Sequence, residues 1–312
     1  MGSSPSAFPP RDQGSVRGGP GQGPEYLPPD AGFSSPPPPP VSKPRSWWAY
    51  APATYVLVGI NCLVFLVMVA RGVSIWSPTP EQLMFFGADN AGNVLINGEW
   101  IRIVTAMFVH VGILHLATNM WCLWNLGLLA EPLMGSAGVV AVYILTGAAG
   151  NLLSTCVNWS WYNKDWVKYH AEWLGHHAGL VLDPTVVFPV GAGASGAVFG
   201  IAGALIILLK SRRLPVPPLE LHKLRRSVIY FAAINLVIGF SISAGTRYLG
   251  SGLQIDNMAH LGGFTCGLLF AVPMVPRIGS PRDLFIFHRR VATAMVVGIL
   301  VLFGVFIAKL AG

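Results

Sequence analysis

The sequence predicts an all-α polytopic membrane protein, and three observations predict it. Of its 312 residues 53% are hydrophobic and only 11% are charged, whereas ordinary soluble domains carry about 25% charged residues. The apolar residues gather into seven windows, near 53–70, 113–130, 137–157, 193–209, 227–243, 257–275 and 291–310. Each reads as long enough to cross a bilayer, some with tilt or a polar partner. The cations sort between alternate connections: fourteen lie before the first span, between the fourth and fifth, and between the sixth and seventh, against six elsewhere. The positive-inside rule then puts the N-terminus in the cytoplasm and the C-terminus outside. The net charge of +7 is thereby accounted for by topology, and no nucleic-acid partner is expected.

Taken in chain order, residues 1–46 hold thirteen of the twenty-five prolines, including the run Pro36 to Pro40. Such a segment buries too little apolar surface to offset its chain entropy. A disordered Pro/Gly-rich cytoplasmic tail is expected, its proline run open to a partner the sequence does not identify. Trp47, Trp48 and Tyr50 form an interfacial aromatic belt ahead of the first span. The connection 71–112 has apolar character of its own, in LMFFGA and EWIRIVTAMFVHVG, which suits a folded and partly embedded loop. The connection 158–190 carries Trp159, Trp161, Trp166 and Trp173 with His170, Glu172, His176 and His177. Their spacing matches no metal-ligand motif, and an extended external loop lying at the interface is expected. Residues 276–312 read as a basic linker and the seventh span. Cys62, Cys122, Cys156 and Cys266 each fall inside a span with no close pairing, so no disulfide framework is expected, nor any metal or cofactor.

Polar side chains inside spans are costly and mark either a functional site or a satisfied packing contact. Three groups stand out. The first is His110-x4-His115-x3-Asn119 at the opening of the second span; residues four apart share a helix face, so His115 and Asn119 point at one spot. The second is Gly193-Ala194-Ser195-Gly196 opening the fourth span. Alone it reads as a small-residue packing seam, with Gly196-x-x-x-Gly200 allowing close helix approach. Yet a serine at a helix N-terminus also sits where unpaired N–H groups and the helix dipole favour a developing anion. The third is Asp256 to Gly263, where His260, Gly263 and Gly267 line one face at the start of the sixth span. That glycine face can approach the fourth span closely enough for His260 to meet Ser195. The second, fourth and sixth spans all run inward in the assigned topology. Their polar residues therefore begin at a common depth, as a nucleophile, a base and two oxyanion donors would.

With these residues in place, the sequence resembles the rhomboid family of intramembrane serine proteases. The resemblance rests on GEWIR (Gly98 to Arg102), HVGILHLATN (His110 to Asn119), GAGASGAVFG (Gly191 to Gly200) and DNMAHLGG (Asp256 to Gly263), and covers about 50–275. It implies a six-helix core over 47–275, with the seventh span as an additional C-terminal helix. It implies a Ser195–His260 dyad with no metal. His115, Asn119 and the Ser195 backbone N–H would hold the oxyanion, while Gly193, Gly196, Phe199 and Gly263 support the pair. Trp100 and Arg102 would belong to the embedded first loop, with His110 beside it. Glu131 would be a structural polar residue ending the second span. Some family members have a tyrosine where this chain has Phe199, which keeps the stacking surface and loses a hydroxyl. Asp256 reads as a loop or capping residue, not a third triad member.

The activity this implies is hydrolysis of peptide bonds in or near transmembrane segments of other membrane proteins, for which a substrate helix must unwind locally. The fifth span and the connection 243–256 would form the mobile side through which substrate arrives. The lipid bilayer and transmembrane substrates are the expected partners, and a bacterial cytoplasmic membrane the expected location. The alternative of a different class is a non-catalytic rhomboid-like scaffold binding membrane clients, against which the intact Ser195 and His260 weigh. A transporter or channel finds no support, because no span carries a paired acidic or basic relay.

Overall fold

A computed structural model describes residues 50–161, 188–211, 216–249, 256–277 and 280–311, with single positions at 172, 173, 176 and 214. The proline-rich tail, Trp47 and Trp48, most of the connection 158–190 and residues 250–255 of the connection before the sixth span lie outside the described residues. A helix occupies each of the seven apolar windows: α1 (Pro52–Ala70), α2 (Ile113–Met134), α3 (Ser136–Trp161), α4 (Ser195–Leu208), α5 (Pro218–Leu249), α6 (Asn257–Ala271) and α7 (Arg282–Ala311). Five are long and apolar enough to cross a membrane, α6 counting with the 3₁₀ turn that continues it, and α4 is apolar but shorter. The chain is therefore an all-α, multi-pass integral membrane protein.

Burial separates the helices into a centre and a rim. Two-thirds of the apolar stretch of α3 is buried (67%), against 17% for α7. On the rim, Leu63 of α1 and Leu302 of α7 are 60% and 72% exposed, the pattern of side chains that meet lipid. Inside, Tyr143 of α3 accepts from Asn61 Nδ2 of α1 at 2.9 Å and donates to the Met107 carbonyl at 3.3 Å. With little hydrophobic drive between helices inside lipid, such polar ties and close packing hold the bundle.

The fourth window departs from its expected length. It spans 193–209 in the sequence, but α4 is 14 residues long, about 21 Å at 1.5 Å per residue. That is shorter than the roughly 30 Å hydrocarbon layer. The reason is local: Val190–Gly191 pairs with Asp89–Asn90 as a short antiparallel ribbon, and the chain turns through Gly193, so helix begins only at Ser195. Twelve of the fourteen α4 residues are buried, which explains why it is apolar all round rather than on one face. In contrast, α5 and α7 begin at Pro218 and Arg282, a few turns before their apolar windows, carrying basic residues on their leading ends.

The connection 71–112 is folded. Arg102 pairs with Glu99 and donates from Nη1 to the carbonyls of Met84 (2.6 Å) and Ala88 (3.0 Å). Asn151 of α3 donates to the Ile103 carbonyl at 2.9 Å, fastening the loop to the central helix. At the opposite ends of the helices, Glu131 near the end of α2 accepts from Ala53 N, Thr54 N and Thr54 Oγ1 at 2.7–2.9 Å and from Ser136 Oγ at 2.6 Å. It thus caps the first turn of α1, whose own N-cap residue Ala51 has no side chain to do so.

Candidate active site

The N-termini of α4 and α6 meet through their glycines. A Cβ added at Gly263 would overlap the Gly196 carbonyl, and one at Gly267 would overlap that of Gly200. With hydrogen in those places the two backbones touch, and Ser195 and His260, one turn or less from the contact, fall within reach. Nε2 of His260 lies 2.8 Å from Oγ of Ser195. His260 is buried and Ser195 partly exposed, so the hydroxyl is the accessible member of the pair.

Phe199, one turn along α4 from Ser195, stacks on the His260 ring at 4.4 Å between centroids and 13° between planes. The other ring nitrogen, Nδ1, meets no hydrogen-bond partner among the described residues. Asp256 makes no hydrogen bond to it. Asp256 caps α6, accepting from Ala259 N at 2.9 Å, and takes a second bond from Ser154 Oγ at 2.5 Å.

On the other side of Ser195, Gly193 adopts φ +132°, and a Cβ there would stand 2.5 Å from Cε1 of His115 and 3.0 Å from its Nε2. Only glycine combines this φ with such a close neighbour. The Gly193 N–H donates to the Ala106 carbonyl at 2.9 Å, which pins the serine loop against the segment leading into α2. Asn119 lies one turn below His115 and donates to its carbonyl at 2.9 Å. His110 is fully buried, with its ring 5.3 Å from that of His115 and Nδ1 3.3 Å from the Phe108 carbonyl. Ser195 opens α4, so its backbone N–H is among the first N–H groups of the helix and has no partner within it.

Thus Ser195, His260, His115, Gly193, Gly196, Phe199 and Gly263 are gathered in one place, with Asn119 and His110 bordering it. Trp100, Arg102 and Glu131 are not part of it. The Trp100 ring faces α7 near Gly304, Arg102 organises the first loop, and Glu131 ties helix ends together. Hydrogen bonding to Arg102 and Asn93 keeps the Glu99 carboxyl below its ordinary range. An apolar cavity of about 240 Å³ lies between α4, α5 and α6, lined by Phe199, Ile229, Ala232, Leu236, Leu261 and Phe264 among others. Asp89, Ser154 and Thr155 also border the Ser195–His260 region, although no sequence motif points to them. Two adjacent hydroxyls inside a long span were the available signal, but their partners are distant in the chain.

A family model of the Rhomboid domain matches residues 97–277. Among curated proteins, the chain is 29% identical over 228 residues to the rhomboid protease GluP of Bacillus subtilis, covering 73% of this chain and 36% of that relative. It is 29% identical over 226 residues to the rhomboid protease AarA of Providencia stuartii, covering 71% and 72%. To RHOMBOID-like protein 1 of Arabidopsis thaliana it is 28% identical over 194 residues, covering 62% and 39%. The chain thus spans about a third of GluP and nearly three-quarters of AarA. The matched segment begins at the folded first loop and runs through α6, taking in each helix that contributes to the Ser195–His260 meeting point, and the chain belongs to the rhomboid family.

Proposed function

We propose that the chain is a serine endopeptidase that cuts peptide bonds in or near transmembrane segments of other membrane proteins. The 2.8 Å approach of His260 Nε2 to Ser195 Oγ at a helix N-terminus carries this reading. In the proposed reaction, Nε2 takes the hydroxyl proton as Oγ attacks the scissile carbonyl carbon. The resulting oxyanion is met by the Ser195 backbone N–H, His115 and Asn119, donors fixed before reaction. His260 then gives its proton to the leaving amine as the C–N bond breaks. Water attacks the acyl ester with the same imidazole as base, and Ser195 is restored.

Helical backbone keeps its carbonyls in internal hydrogen bonds, so a substrate must unwind at the cut site. Segments rich in small and helix-weakening residues are the expected substrates. The apolar cavity beside Phe199 supports lateral arrival between α5 and the α4–α6 pair. The cation distribution supports a cytoplasmic N-terminus and an external C-terminus, and a bacterial cytoplasmic membrane is the location proposed with them.

The deciding experiment is fluorophosphonate labelling with cleavage of a transmembrane test substrate. Wild type is expected to label at Ser195, and Ser195→Ala and His260→Ala to lose at least about 10³-fold in cleavage, the scale of removing a nucleophile or its base. A folded Ser195→Ala variant that still cleaves would sink the reading.

A further inference from the structure

A second polar cluster lies behind the site, on the side of α3. Thr155 Oγ1 donates to Asp89 Oδ2 at 3.0 Å, and the preceding residue, Ser154, donates from Oγ to Asp256 Oδ2 at 2.5 Å. Successive residues on a helix point about 100° apart, so two neighbouring hydroxyls reach two different carboxylates. Asn158 Nδ2 supports Ser154 Oγ at 3.2 Å from one turn further along. The carboxylates converge on Gly191: a Cβ there would stand 3.5 Å from Asp256 Oδ2 and 3.7 Å from Asp89 Cβ.

Each carboxylate leads to one member of the Ser195–His260 pair. Asp89 pairs through its backbone with Gly191, four residues before Ser195. Asp256 caps α6 at the Ala259 N–H, four residues before His260. The nucleophile loop and the base helix are therefore fastened to consecutive residues of α3, the most buried of the five spanning-length helices among the described residues. Asp89 is 4% exposed, so its tie to Thr155 is shielded from competing water.

We propose that Asp89 and Asp256, gripped by Thr155 and Ser154, are positioning residues that set the spacing between Ser195 and His260 without touching the reacting atoms. The catalytic consequence rests on the endopeptidase reading above; the mechanical link between the two arms does not.

The test uses the full chain in detergent micelles. It compares Asp256→Ala, Asp256→Asn and Ser154→Ala by fluorophosphonate labelling rate, by kcat and KM on a transmembrane test substrate, and by amide hydrogen exchange. Asp256→Ala is expected to lower labelling and kcat by about 10- to 100-fold, the cost of small misplacements in a reacting pair, with KM within about three-fold. Asp256→Asn keeps a capping oxygen and is expected to recover to within about five-fold of wild type. Ser154→Ala, which removes only the tie, serves if the alanine variant of the cap does not fold, and should lower labelling about five-fold. In exchange, both 188–196 and 256–263 should lose protection together in Asp256→Ala while α1 does not.

A folded Asp256→Ala with the wild-type labelling rate, or an asparagine variant no better than alanine, overturns the proposal. If wild type neither labels nor cleaves, the endopeptidase reading fails. The positioning link is then decided by exchange alone: loosening of both segments upholds it, and loosening confined to 256–263 overturns it.

Discussion

At the level of single residues, Ser195 and His260 each read alone as packing, and what singles them out is that both open inward-running spans at a common depth, where polar side chains are costly. Phe199 was legible only by resemblance, yet its stacking on His260 at 4.4 Å gives it a physical task. Aromatic stacking is worth about 0.5–1.5 kcal/mol. Phe199→Ala is therefore expected to reduce kcat about three- to ten-fold, with Phe199→Tyr close to wild type, as read from steady-state cleavage. Asp89 was not legible, since nothing adjacent in sequence reveals that Thr155, 66 positions away, will hold it. Burial pushes its carboxyl from 3.8 up to about 7; Asp256 adds to the rise, while Thr155 and Arg102 oppose it. Because the folded value is raised, the protonated form is the one folding favours. That contribution to stability is complete below pH 3.8 and is lost as pH rises through 7. The Tm of wild type should therefore fall relative to Asp89→Asn between about pH 4 and 7; parallel curves across that window would refute the assignment.

At the level of elements, the seven apolar windows located the helices, and the glycine periodicity of the sixth window identified which faces of α4 and α6 meet. Helix length was harder to read. Apolarity does not distinguish a helical residue from a turn or extended one, so Gly193 and Ala194, the two residues of the window ahead of Ser195, were indistinguishable from the start of the helix. The starts of α5 and α7 were missed for the opposite reason, since their first turns are helical but charged. Close packing makes a sharp prediction. Gly263→Ala forces a methyl into the Gly196 carbonyl, and overpacking of this kind costs about 1–3 kcal/mol. A Tm lowered by several degrees and a greatly slowed labelling of Ser195 are expected. Gly298→Ala, where nothing lies within 4 Å, should leave both unchanged. The Glu131 cap is a second such joint: Glu131→Ala leaves the Ala53 and Thr54 N–H groups without their acceptor, and a cost of about 1–3 kcal/mol in unfolding experiments is expected.

For the molecule as a whole, composition and the seven apolar windows were sufficient to class the chain as a multi-pass helical membrane protein. The ties that make the helices one body, such as Asn61 to Tyr143 and Asn151 to Ile103, join positions with no local signature. The extra helix α7 sits on the rim, its apolar stretch only 17% buried. Deleting the chain from residue 280 is expected to lower Tm while leaving Ser195 labelling within about five-fold, since α7 supplies no residue to the pair. Loss of all labelling in a folded truncation would assign α7 a larger part. The enclosure of α4 has a consequence for biogenesis. A helix with twelve of fourteen residues covered by neighbours from before and after it in the chain has no finished surroundings until α6 has been synthesised and inserted. A half-made chain therefore displays its serine without a partner imidazole, and on the endopeptidase proposal it cuts nothing until α6 is in place. Ribosome-stalled chains ending before residue 256 should accept no fluorophosphonate, and those extending past α7 should.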